Sequence, residues 1–203
     1  MSPETTGRAR RDGRRQHRLK IWVRTSPRKG VVLTDSQPPR VLGPKDGNAG
    51  RLGSIGVRFM IDGDETGGGF SLVEHPIPPH ALAAPLHRHT REDEYSFVLE
   101  GRVGALLGDQ VVYGQPGDLI FKPRDQWHTF WNASSESARI LEMISPAGFE
   151  RYFQEMVDLL QQGGPPDPNA LAGLAVRYGL EVDLASIPRL TEHYGLHFGP
   201  PDQ

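Results

Sequence analysis

Cysteine is absent from the 203 residues, which excludes disulfides, thiolate-held zinc, iron-sulfur clusters and thiol nucleophiles together. Long apolar runs are missing too: none approaches the roughly 18 residues of a spanning helix, so no membrane role is expected. Aromatic residues are sparse at 8% and apolar residues make up 36%, while 24 Gly and 18 Pro punctuate the text. That composition argues against a protein of long helices and for many short elements. With no thiol available, any metal must be held by His and carboxylate.

The net charge of −2 conceals two unlike parts. Residues 1–40 hold 11 Lys and Arg against 3 Asp and Glu, which leaves 12 against 22 for the remainder. The crowded basic side chains flank one small apolar cluster, Leu19, Ile21, Trp22 and Val23, too little to offset the entropy of ordering, so a disordered arm is expected. Arg14-Arg15 is followed by an apolar stretch that Arg24 cuts short, so export is not expected and a cytoplasmic location is. Polybasic arms can contact phosphates, yet no base-reading motif or pair of amphipathic helices accompanies this one, and nucleic acid is not expected as a partner. Pro38, Pro39, Gly43, Pro44, Gly47, Gly50 and Gly53 then read as a linker. The expected division is a basic arm and linker over 1–53, a β-rich body over 54–146 and a helical extension over 147–203.

Within the body, short runs of Val, Ile, Leu, Phe and Tyr alternate with Gly, Pro and Asp turns: 54–62, 70–75, 95–100, 103–107, 111–113, 119–121, 127–131 and 139–145. Strands at such close spacing indicate an all-β sandwich or barrel. Gly108-Asp109 is a hairpin signal, and Gln115-Pro116-Gly117-Asp118 supplies Pro then Gly as a type II turn requires. After Pro146 the period changes. Phe149, Phe153, Met156, Val157 and Leu160 follow helical spacing, Asp167-Pro168 opens a second helix, and Ser186–Tyr194 reads as a third. Arg177-Tyr178-Gly179-Leu180 and His193-Tyr194-Gly195-Leu196 echo one another as two similar helix ends.

His87 and His89 alternate, so on a strand both imidazoles share a face with Arg88 opposite. Four residues separate His89 from Glu94 and six separate Glu94 from Gly101, while Gly117, Pro123, His128 and Asn132 follow at intervals of five, four and three intervening residues. This order and spacing resembles the two signature motifs of the cupin superfamily. Eight of ten motif positions match, with Ala81 and Asp125 standing where the family has Gly. Both departures fall at positions read as turns or loops, and Asp tolerates the left-handed conformation better than most side chains. The resemblance implies a double-stranded β-helix, the jelly-roll barrel, with the C-terminal helices packed on it. Gly101, Gly117, Pro123 and Asn132 then serve as scaffold.

Three imidazoles and one carboxylate suit Fe, Ni, Mn, Cu or Zn, and a polar level inside a small barrel is costly unless something satisfies it. His87, His89, Glu94 and His128 are therefore the expected ligands of one divalent transition metal, whereas His75, His80, His193 and His197 read as core or surface residues. Phe130 shares the His128 face and is the first candidate for a pocket wall, with Phe59 and Met143 beside it. The other aromatics of the strands read as core. Within the superfamily the chain is most similar to quercetin 2,3-dioxygenase-like monocupins, through the ligand set and the stretch Ser145–Glu150 before a helix. That resemblance implies oxygenolytic cleavage of a flavonol or similar small enol, with O2 as co-substrate, iron among the candidate metals, and Glu94 doubling as catalytic base. Two alternatives stand beside it: a metal-dependent isomerase, epimerase or lyase acting on a sugar or keto acid, and a non-catalytic small-molecule-binding module. The resemblance implies a homodimer, and the second apolar face of Tyr95, Phe97 and Leu99, which must be covered by something, supports it.

Overall fold

Strand alternation builds the interior of this protein. The computed structural model describes residues 38–163 and 166–200, so the basic arm as far as residue 37 lies outside the described residues. The first sheet joins β1 (Ala49–Leu52), β2 (Ile55–Ile61), β3 (Ser71–Ile77), β11 (Ala138–Ser145), β6 (Asp93–Glu100) and β9 (Leu119–Lys122), in that spatial order. The second runs β12 (Leu180–Asp183), β5 (Leu86–His89), β10 (His128–Asn132), β7 (Val103–Leu107) and β8 (Gln110–Gly114), with β4 (Ala81–Leu82) also pairing β10. All these pairings are antiparallel. Ile77, Val98, Ile120 and Ile140 of the first sheet meet Val103, Ala105 and Phe130 of the second in one buried cluster, so the core lies between the sheets. This is the jelly-roll expected from the sequence.

Gly108-Asp109 closes the β7–β8 hairpin with Leu107 opposite Gln110, and Asp118 N donates to Gln115 O at 2.9 Å in the turn before β9. Three helices follow the barrel: α1 (Glu150–Gln161), α2 (Pro168–Arg177) and α3 (Ser186–Tyr194). Asp167 caps α2 by accepting from Asn169 N at 3.0 Å. The two echoing segments are both helix ends, where Gly179 and Gly195 take φ of 67° and 65°. No described helix is long and apolar enough to cross a membrane.

Several expectations need correction. The linker reading fails for 38–53: Ala49–Leu52 is a strand paired with β2, Arg58 donates to Gly43 O and Asp46 O, and Arg40 pairs with Glu65. Gly50 is required there, because a Cβ would lie 2.6 Å from the Val157 methyls of α1. Ala81 sits in strand β4 rather than in a turn, and the left-handed residue is its neighbour His80 at φ 55°. Asp125 does take the left-handed conformation, at φ 63°. The C-terminal extension is not wholly helical, since β12 pairs with β5 and places Leu180 opposite His89 and Val182 opposite His87.

Candidate metal centre

Four strands, two from each sheet, converge on one buried level of the barrel. β5 alternates His87 and His89 inward with Leu86 and Arg88 less buried, and β10 brings His128 directly opposite His87. β6 turns Glu94, Ser96 and Val98 inward, and β9 turns Ile120 and Lys122 inward. One donor atom from each of His87, His89, Glu94 and His128 lies within 4.8 Å of the others, and all four residues are buried. Among the described residues this is the one group of His and acidic side chains so arranged.

The imidazoles are oriented by what their outer nitrogens touch. His87 Nδ1 meets Pro85 O at 2.8 Å and His128 Nδ1 meets Gln126 O at 3.0 Å. A carbonyl only accepts, so both rings donate from Nδ1 and turn Nε2 toward the centre of the barrel. His128 Nε2 then stands 3.2 Å from Glu94 Oε2, and His89 Nε2 stands 3.4 Å from Glu94 Oε1. His89 is 1% exposed, yet neither of its nitrogens has a hydrogen-bond partner. A buried imidazole left in that state is costly, and a divalent cation at Nε2 removes the cost. Glu92 Oε2 lies 3.8 Å from the other nitrogen, Nδ1, and is itself unpartnered. The donor set therefore fits one divalent transition metal of the borderline class.

Burial pushes His89 down to about 4 and His87 well below the usual imidazole range, with the neighbouring imidazoles adding to the effect on His87. Both are thus neutral at pH 7, the form that ligates metals. Burial alone would raise Glu94, but the Lys122 ammonium and the facing histidines hold it well below the ordinary carboxylate range. Burial, opposed by Lys122 and aided by Glu94, pushes Glu142 up to about 7. Glu92 likewise rises to about 7 through burial.

The expected pocket residues fare differently. Phe130 is buried beside the ligands, with the Lys122 ammonium 4.7 Å above its ring and His75 at 6.4 Å. Phe59 is half-buried and belongs to the cluster under α1 that also holds Ile144 and Phe149. Met143 is not a pocket residue: it is 39% exposed on the outer face of β11, because Ile140, Glu142 and Ile144 take the inward positions. Phe97 and Phe121 are likewise exposed, although most strand aromatics read as core. His75 is the core residue expected, donating from Nδ1 to Gly56 O at 2.9 Å. Asn132 does more than turn the chain; its Nδ2 donates to Ile77 O, Pro78 O and Glu136 O and ties three segments to the end of β10.

Sequence reasoning missed Lys122, Glu142, Ser96, Glu92 and Phe149. Lys122 Nζ donates to Glu94 Oε2 at 2.9 Å and to Glu142 Oε2 at 3.0 Å. Phe149 stands against His89, and the stretch before α1 explains how: Glu150 is buried and accepts from Gly63 N at 3.2 Å and Gly148 N at 2.6 Å, fixing its neighbour.

Residues 74–144 match the family model described as a cupin domain. No curated protein matches the chain in sequence. Among solved structures, KdgF from Halomonas sp. is similar at 15% identity and TM-score 0.50, over 56% of this chain and 99% of that one. The polyketide cyclase RemF from Streptomyces resistomycificus aligns at 27% identity and TM-score 0.46, over 53% of this chain and 80% of that one. A sugar phosphate isomerase of the cupin superfamily from Silicibacter pomeroyi aligns at 21% identity and TM-score 0.46, over 52% and 75% respectively. The jelly-roll of two antiparallel sheets, the ligand spacing on β5, β6 and β10, and the match over residues 74–144 lead to one assignment: this chain carries a cupin domain.

Proposed function

We propose that the protein is a metal-dependent enzyme that cleaves a small enolic or aromatic substrate of flavonol type with O2. The observation that carries the metal part is His89, buried with both nitrogens unpartnered among three further donors that face the same point. A bound divalent transition ion would supply Lewis-acid polarisation, and four protein ligands out of about six positions would leave room for two small molecules side by side.

The chain's own residues supply the rest. His87 and His89 stay neutral and free to ligate, held so by burial. Glu94 is ionised and therefore in the form that accepts a proton from a substrate hydroxyl within hydrogen-bond reach. Phe130 offers an apolar wall at the ligand level. Phe149, Tyr152 and Phe153 cover the His89 side and exclude water, since Phe149 stacks on Tyr152 and meets Phe153 edge-on. The oxygenase reading is supported by the Ser145–Glu150 stretch, whose likeness to quercetinase-like monocupins falls on the segment that brings Phe149 to His89.

A second reading is favoured by a separate observation. Lys122 and Glu142 form a buried pair of proton-carrying groups against Glu94, which would serve an isomerase or lyase that moves protons without O2. Measuring O2 uptake and metal content together, over flavonols and over sugar and keto-acid substrates, separates the two. In Glu94→Gln, turnover per bound metal should fall by about two to four orders of magnitude if the carboxylate is the base. Activity per metal equal to wild type would remove that role, and metal binding with no turnover on any substrate would favour the non-catalytic module.

A further inference from the structure

A second set of polar side chains points into the barrel beside the ligands. Lys122 of β9 stands opposite Glu94 of β6, and Glu142 of β11 stands opposite Ser96 of β6. Lys122 Nζ donates to Glu94 Oε2 at 2.9 Å and to Glu142 Oε2 at 3.0 Å, and Ser96 Oγ donates to the same Glu142 oxygen at 2.7 Å. Lys122 and Glu142 are each 1% exposed. A lysine is rarely buried so completely, and an ammonium set between carboxylates inside a protein costs more desolvation than an apolar side chain of the same size. An apolar residue at 122 would simply continue the inward row begun by Ile120. Fold stability gives no reason for the charge.

The geometry around Glu94 supplies one. Its two oxygens have different neighbours: Oε2 receives Lys122 and His128, while Oε1 faces His89 Nε2 at 3.4 Å. Lys122 is held from behind by Glu142, whose accepting oxygen Ser96 Oγ holds in turn. A carboxylate without such a brace can rotate and chelate through both oxygens. Resting on the metal reading above, we propose that Lys122, braced by Glu142 and Ser96, is a positioning residue that holds Glu94 to the metal through a single oxygen and so sets how many coordination positions stay open to substrate.

A purely electrostatic role makes the opposite prediction for affinity. An ammonium beside the site repels a dication, so its loss would tighten metal binding if charge were all it supplied. The test loads the full-length wild type, Lys122→Met and the double variant Lys122→Met/Glu142→Gln with cobalt(II) alone. Affinity is read by competition with a chelator and coordination by the visible absorption of the bound cobalt. The double variant removes the ammonium together with the Glu142 carboxyl that faces it and leaves Glu94 with His89, His128 and the added cobalt beside it, so it keeps the measurement open should the single variant fail to fold. The expected result is one cobalt per chain in each folded protein, bound about 10–100-fold more weakly in the variants, with band intensities altered by a changed coordination number. Tighter binding in a folded variant, or a wild-type cobalt spectrum in the double variant, would overturn the positioning role and leave the metal site standing. A wild-type protein that takes up no cobalt would overturn the metal reading and this inference with it.

Discussion

The ring of Phe149 meets His89 edge-on, with 4.2 Å between centroids and 80° between planes. This contact joins the segment that opens α1 to the strand that carries two of the four candidate ligands. The pairing of β12 with β5 adds a second join on the same strand. The C-terminal extension is thus part of the wall of the site, and substitutions in it should be felt at the metal.

Phe149→Ala removes a side chain that is 2% exposed and central to an aromatic cluster with Tyr152, Phe153 and Tyr178. Stability should fall by about 3–5 kcal/mol in denaturant unfolding, the usual range for emptying such a site. Loss of metal to a chelator should also quicken. Unchanged unfolding and exchange would mean that the helix does not close the barrel.

His75 gives a pH dependence free of ligation. Burial holds it down to about 4 in the fold, against 6.5 for an unhindered imidazole. The unfolded chain therefore binds the extra proton between pH 6.5 and 4, and the fold loses stability as pH falls through that window, by about 1.4 kcal/mol per pH unit. Above pH 6.5 the contribution vanishes. His75→Gln keeps a donor for Gly56 O and should make the acid slope shallower by that amount in denaturation measured from pH 7 to 4. Equal slopes in the two proteins would show that His75 titrates normally.

The ligand set was legible in the sequence because alternation on a strand puts His87 and His89 on one face, and the spacing to Glu94 and His128 is demanding. Its neighbours were not. In Leu119-Ile120-Phe121-Lys122 either parity has an apolar member, so nothing local says that Lys122 faces inward. In Ile140-Leu141-Glu142-Met143-Ile144 hydrophobicity alone favours Met143 over Glu142 as an interior residue. What reverses it is Lys122, twenty residues away in sequence and 3.0 Å away in the fold. Strand β12 was hidden for the same reason: four residues after a helix carry little pattern, and their partner strand lies some ninety residues earlier.

The outer face of β11, β6 and β9 sets Met143 beside Tyr95, Tyr95 beside Phe121 and Phe97 beside Leu119. Phe97, Leu119, Phe121 and Met143 are all exposed in the single chain. A second copy is expected to cover this patch. Sedimentation should report a dimer for the wild type and a monomer for Phe97→Glu/Phe121→Glu, both folded by circular dichroism. A wild-type monomer, or a dimer that survives the double substitution, contradicts it.

Truncation distinguishes the arm from the barrel. Removing residues 1–37 is expected to leave the melting temperature and metal content unchanged. Removing residues 1–53 strips β1 from β2 and from Val157, and should lower the melting temperature markedly. Equal stability of the two truncated proteins would return β1 to the status of a linker.

His87, His89, Glu94 and His128 are expected to hold one metal ion together. Elemental analysis of full-length protein purified without added metal, set beside the variant with His87, His89 and His128 all replaced by Ala, tests it most directly. One equivalent of a divalent transition metal is expected in the wild type, falling as pH drops and the imidazoles protonate, and none in the triple variant. A full equivalent retained by the folded triple variant would contradict it.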